Sequence, residues 1–186
     1  MLILESAERL LRHYGYTKTT VADIAREAKV GVGTVYLEFP SKEAIVAALS
    51  ESHHAEVLGS MRKAAQGRRR YADRLAAVLD SRITCFLRLA DGGQHATELV
   101  HCVCPSVQQA HRRFEAEEAG LLAALLAEGD REGELDVRDP PAVAAALLLA
   151  YRCFSPPWLF EQPRDEVERM LPVLHDLVLM GLVRHR

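Results

Sequence analysis

A chain of 186 residues can hold a small domain and a larger one, each with its own core. Its net charge of −3 hides an asymmetry, +3 over residues 1–74 and −6 over residues 75–186, which excludes a strongly basic surface over either part. The longest apolar run, Ala142 to Tyr151, falls short of the roughly 20 residues that a bilayer requires, and the four cysteines read as reduced thiols of a cytoplasmic protein.

Thr20 is a favourable helix N-cap, and Asp23 stands three residues on, where its carboxylate meets free N–H groups and the positive end of the helix dipole. Val21, Ile24, Ala25 and Ala28 follow at helical spacing as one apolar stripe, with small alanines that admit a neighbouring helix. Lys29 to Gly31 breaks the pattern. A second short helix is expected from about Val32 to Leu37, burying Val35 and leaving Val32, Gly33, Thr34 and Tyr36 on a small, uncharged face able to approach base edges. Pro40 ends it, Ser41 caps the next helix, and Lys42 in that helix's first turn is placed to grip a phosphate together with the peptide N–H groups.

The pattern stays helical to the end of the chain. A long fourth helix runs from Ser41 to about Gln66 and links two domains; Arg68, Arg69, Arg70 and Arg74 read as a solvated linker. Another helix spans about Tyr71 to Ala90, and Asp91-Gly92-Gly93 closes it. The next is expected to begin near Gln94 and to be ended or kinked by Pro105. Ser106 to about Glu128 continues, with Gly129 and Gly133 marking its exit. Asp139 caps a helix carrying Pro140 and Pro141 in its first turn and apolar on all sides. The last follows Pro163, with a wide apolar face through Val167, Met170, Leu171, Leu174 and Val178. One chain of this size has too few other helices to cover the last two, so pairing with a second copy in a four-helix interface is expected.

Residues from about Ile3 to Ala48 resemble the DNA-binding domain of the TetR family of bacterial transcriptional regulators. The resemblance is carried by Ala7 and Leu10-Leu11, Gly15-Tyr16, Thr19-Thr20, Val21 to Ala28, Gly33-Thr34-Val35-Tyr36, Phe39 and Ser41-Lys42-Glu43. It implies an all-α fold of about nine helices: a three-helix helix-turn-helix domain over residues 1–48, and a C-terminal ligand-binding and dimerisation domain over 67–186. It further implies that Thr20, Thr34, Tyr36 and Lys42 touch DNA, with Val32 and Gly33 on the groove-facing side. Family members often carry Gly where this chain has Lys29, so Lys29 or Val30 is expected in a less favoured backbone conformation. Glu38, where a histidine or tyrosine is frequent in the family, is expected to point away from phosphate. Two recognition helices about one DNA turn or more apart would read a palindromic operator.

For a small-molecule effector, a mostly apolar cavity is expected among Phe86, Val100, Cys104 and Val107, together with His111, Phe114, Tyr151, Phe154 and Trp158. His95, His101, Cys102, Cys104 and His111 suggest metal or oxidant sensing as an alternative. On a helix, however, Cys102 and Cys104 point about 200° apart, and no metal or other cofactor is assigned. Gly31 and Gly33 begin a GxGxxG pattern, but Tyr36 occupies the third glycine position, and no nucleophile elbow, P-loop or HExxH follows; an enzyme is not expected. The reading is a homodimeric regulator, a repressor released from its operator by an effector, with a helical interaction module that does not bind DNA as the rival.

Overall fold

The computed structural model describes residues 2–67, 69–93, 95–100 and 104–183. Among them the regular elements are helical, apart from one isolated antiparallel bridge between Leu135 and Val183. The described residues form nine α-helices, in order α1 Leu2–Lys18, α2 Val21–Glu27, α3 Val32–Glu38, α4 Lys42–Ala64, α5 Tyr71–Ala90, α6 Pro105–Arg131, α7 Pro140–Ala150, α8 Trp158–Glu161 and α9 Arg164–Met180. Short 3-10 helices span Ala96–Leu99 and Arg152–Phe154. The chain divides into two compact units: residues 1–56 with 88–114, and residues 57–87 with 115–186.

In the first unit, Ile3, Ala7 and Leu11 of α1, Ile24 and Ala25 of α2, Val35 of α3, and Ile45, Val46 and Leu49 of α4 are buried. These four helices therefore share one apolar centre, without which the seven-residue α2 and α3 are too short to be stable in isolation. Thr20 caps α2 in a full capping box: its hydroxyl accepts the Asp23 N–H at 3.1 Å and the Asp23 carboxylate accepts the Thr20 N–H at 3.1 Å. Ser41 caps α4 by accepting the Ala44 N–H at 3.2 Å. Lys29, between α2 and α3, has φ +56°, the left-handed conformation expected at this turn. Gly15 interrupts α1 with φ 78° and ψ 169°.

The second unit holds the end of α4, most of α5, the rest of α6 and α7 to α9. A buried ion pair joins Arg82 of α5 to Glu118 of α6 at 2.7 Å, and the same guanidinium donates to Ser155 Oγ at 2.9 Å. Tyr151, fully buried, shares a 2.6 Å hydrogen bond with Nδ1 of His175 in α9, whose Nε2 lies 3.0 Å from Asp80 in α5. Burial, and the Asp80 charge after it, raise the Tyr151 pKa. Asp139 caps α7 by accepting the Ala142 N–H at 3.1 Å.

Three expectations are corrected. Pro105 neither ends nor kinks a helix but opens α6, a position that needs no N–H donor; Ala96–Leu99 before it forms only a 3-10 turn. Gly129 does not mark an exit: it is buried within α6, where a Cβ would stand 2.5 Å from Leu135 Cδ1, so packing and not chain reversal requires the glycine. Arg74 is not a solvated linker residue, since it donates to the Ala65 carbonyl at 2.7 Å and lies over the Tyr71 ring. Arg68 and Gln94 lie outside the described residues.

Candidate DNA-reading face and effector cavity

The residue pattern of α3 separates its two sides. Val35 is wholly buried against the rest of the first unit, whereas Gly31, Val32, Gly33, Thr34, Tyr36 and Glu38 are exposed. A Cβ added at Gly33 would meet nothing within 4 Å, so that stretch of backbone lies open to a close approach. Tyr36 is 52% exposed, and Leu37 is 88% exposed. Thr34 and Tyr36 supply hydroxyls, Val32 and Leu37 supply apolar surface, and α3 carries no basic residue. Such a surface can contact thymine methyls and accept or donate single hydrogen bonds, while charge neutralisation of phosphates must come from elsewhere.

Leu37 was not among the expected contacts. Its signal was present, because a residue two positions past the buried Val35 falls on the opposite side of a helix. Thr20 is exposed at the start of α2, but its hydroxyl donates to the Asp23 carboxylate at 2.6 Å. That bond, ahead of the Thr20 backbone N–H and the Arg26 contact, holds the Asp23 carboxyl below its usual range. Lys42 is placed differently from a free surface cation. Its ammonium donates to the carbonyls of Tyr16 at 2.8 Å and Thr19 at 3.1 Å and stands 4.0 Å from the Tyr16 ring centre. It binds the end of α1 to the start of α4 and retains one proton for a further acceptor.

The expected cavity residues fall in both compact units. In the first, Val100, Val107 and Phe114 are buried, and Cys104 and His111 are half-buried. Phe114 stacks on His54 of α4 with ring centres 4.5 Å apart, and the His111 ring lies 5.5 Å from His54. His54 is 3% exposed, and neither of its ring nitrogens has a hydrogen-bond partner among the described residues. Burial pushes its pKa down to about 3, with His111 and His53 adding to the effect, so the ring is neutral. Its signal in the sequence was a polar residue within the buried stripe of α4, between Ser50 and Val57.

In the second unit, Phe86, Tyr151 and Phe154 are buried, Phe86 beneath the Arg82 guanidinium and Tyr151 beside Phe154 with ring centres 6.2 Å apart. Trp158 is 56% exposed. A separate open cleft of about 440 Å³ in this unit is lined by Arg62, Arg74, Glu117, Leu121 and Glu128 among others, none of them an expected contact. Its charges are largely paired: Arg62 with Glu117 at 2.8 Å and Arg74 with Glu128 at 3.5 Å. His101 and Cys102, two of the five residues of the expected sensing cluster, lie outside the described residues. Among the described residues no group of three His, Cys, Asp or Glu side chains is arranged to hold a metal ion, and no helix is long and apolar enough to cross a membrane.

Residues 3–49 match the family described as bacterial regulatory proteins, tetR family. Over 167 residues the chain is 31% identical to the protein named "Probable HTH-type transcriptional regulator ArpR" of Pseudomonas putida, covering 80% of this chain and 74% of that one. A crystal structure of a TetR/AcrR-family regulator from Thermobifida fusca superposes with a TM-score of 0.74 at 28% identity, over 98% of this chain and 97% of that chain. The regulator FadR from Bacillus subtilis, solved in complex with stearoyl-CoA, superposes with a TM-score of 0.76 at 20% identity, over 97% and 98% of the two chains.

Proposed function

The chain belongs to the TetR family of DNA-binding bacterial transcriptional regulators, and from that premise we propose that it acts in the cytoplasm as a homodimeric repressor, released from a palindromic operator by a small-molecule effector. The observation that carries this reading is the outward face of α3, where Val32, Thr34 and Tyr36 stand exposed around an unobstructed Gly33 while Val35 anchors the helix from behind. Thr20 and Lys42 join them at the ends of α1, α2 and α4 as phosphate contacts, Lys42 through the one proton not already taken by carbonyls. Leu37 is added as a contact to thymine methyls.

Residues 1–48 form the reading head, the linking helix runs to about residue 66, and residues 67–186 receive the effector and the second subunit. Support for pairing comes from apolar side chains that a single chain leaves in water: Leu149 at the end of α7 and Met170, Val173, Leu177 and Met180 along α9. A two-fold pair presents α3 twice, which makes spacing part of sequence recognition.

The effector reading takes the expected residues unit by unit: Val100, Cys104, Val107, His111 and Phe114 in the first, where the neutral His54 is added as a polar anchor, and Phe86, Tyr151 and Phe154 in the second. Exposed Trp158 fits the surface near the second subunit better than an enclosed cavity. FadR of B. subtilis, with its bound stearoyl-CoA, is one neighbour of this fold that accommodates a small molecule. A tenfold loss of operator affinity requires about 1.4 kcal/mol of differential effector binding, so a modest preference for the DNA-incompetent state is enough.

Electrophoresis of mixed-sequence duplexes with the full chain tests DNA binding. Retardation at low salt that fades as salt rises supports it; no retardation at any salt contradicts it.

A further inference from the structure

We propose that Glu98, far downstream of the helix-turn-helix, is a positioning residue for the reading head: its carboxylate holds the Tyr16 amide and so sets the last turn of α1, on which Lys42 and the start of α2 are assembled. This rests on the DNA-binding reading above and adds to it the route by which the effector-binding part acts on that head.

The geometry begins with Gly15. With φ 78° and ψ 169° it departs from helical geometry, which turns the next peptide N–H, that of Tyr16, away from the direction of a regular helix. Glu98 Oε2 takes that amide at 2.6 Å, a charge-assisted hydrogen bond, while Glu98 Oε1 lies 2.8 Å from Nδ1 of His95. The approach is too close for any side chain on residue 15. A Cβ there would stand 2.9 Å from His95 Nδ1 and 3.1 Å from Glu98 Oε1, and the positive φ independently favours glycine. One residue position thus meets two separate requirements of the same contact.

Tyr16 then passes the constraint on. Its carbonyl accepts from Lys42, its ring lies under the same ammonium, and its hydroxyl donates to Glu43. Lys42 also reaches the carbonyl of Thr19, the residue before the α2 cap. A second tie runs alongside, where the His95 N–H donates to the Arg12 carbonyl at 3.4 Å and Gly92 lies against the Arg12 guanidinium. The 3-10 helix that carries Glu98 precedes α6, the helix of Val107, His111 and Phe114. The segment that carries His95 and Glu98 thus reaches α1 by both ties, and through Tyr16 it bears on Lys42 and the start of α2.

The test compares full-length Glu98→Ala and Glu98→Gln with the wild-type chain, using the duplex that the wild type enriches from random sequence. Glu98→Ala should weaken binding about tenfold without changing sequence preference, and Glu98→Gln, whose amide oxygen can still accept from Tyr16, should restore it. Hydrogen exchange supplies the second readout. The Tyr16 amide and α2–α3 should lose protection in Glu98→Ala while α5, α7 and α9 keep theirs. Unchanged affinity in Glu98→Ala overturns the proposal, and so does protection lost equally across the whole chain, which would make Glu98 a general stabiliser. If the wild type enriches no duplex, the DNA-binding reading itself has failed; that result is read from the wild type alone and is separate from any difference between the variants.

Discussion

Thr34 and Tyr36 supply the two hydroxyls of the exposed face of α3, and they are expected to act differently. Tyr36→Phe removes one hydrogen bond to the backbone and should weaken binding to every duplex by about 1 kcal/mol, roughly fivefold, as measured by fluorescence anisotropy. Thr34→Ala should instead alter preference at one base position, by about 1–3 kcal/mol between the best and a mismatched base. A uniform loss from Thr34→Ala would contradict its groove-facing placement. His54 gives a second expectation, in stability. Its folded pKa lies at about 3, below the ordinary 6.5, so the unfolded chain takes up a proton that the folded chain refuses. That stability is complete above pH 6.5 and declines by up to about 1.4 kcal/mol per unit as pH falls from there toward 3. Glu8 is held down to about 2, first by its His53 hydrogen bond and then by Arg12, against burial. Its contribution is complete above 4.5 and is lost only as pH falls from there toward 2. Between pH 6.5 and 4.5 His54 therefore acts without Glu8, and His54→Leu should flatten the denaturation free energy across that interval by about 2–3 kcal/mol. An unchanged slope would contradict the buried, neutral ring.

At the scale of elements, α9 carries the clearest consequence. Leu177 and Met180 are 70% and 69% exposed in the single chain, on a helix whose Val167 and His175 are buried on the other side. Leu177→Glu should leave the helix content unchanged and convert a dimer to monomers in light scattering; a wild type that is already monomeric would contradict the assignment of this face. Most elements could be read from local chemistry: Thr20, Ser41 and Asp139 cap the helices that they were expected to cap, and Ile24, Ala25 and Ala28 of the α2 stripe are buried. Failures came where a residue has two uses. Pro105 can stop a helix or open one, and which it does depends on the weak helical character of the chain before it. Gly129 can end a helix or admit a neighbour, and the deciding contact, Leu135, returns from beyond the turn. Neither choice is visible in a window of local sequence.

For the whole molecule, the all-helical fold and its family were legible because the first 48 residues combine caps, stripe and turn in one register. The site was legible only in part. An outward face on α3 follows from helical period, which is why Val32, Thr34 and Tyr36 emerge exposed. The constraint on Tyr16, and through it on Lys42, does not, since Glu98 reaches the Tyr16 amide across 82 positions of sequence, a contact that no periodicity encodes. A pair of subunits is expected to present two such faces to one duplex. Selecting bound sites from a pool of random duplexes tests it most directly. Enrichment of an inverted repeat, with half-sites about one helical turn or more apart, is the predicted result. Enrichment of a single unrepeated motif, or of none, would contradict it.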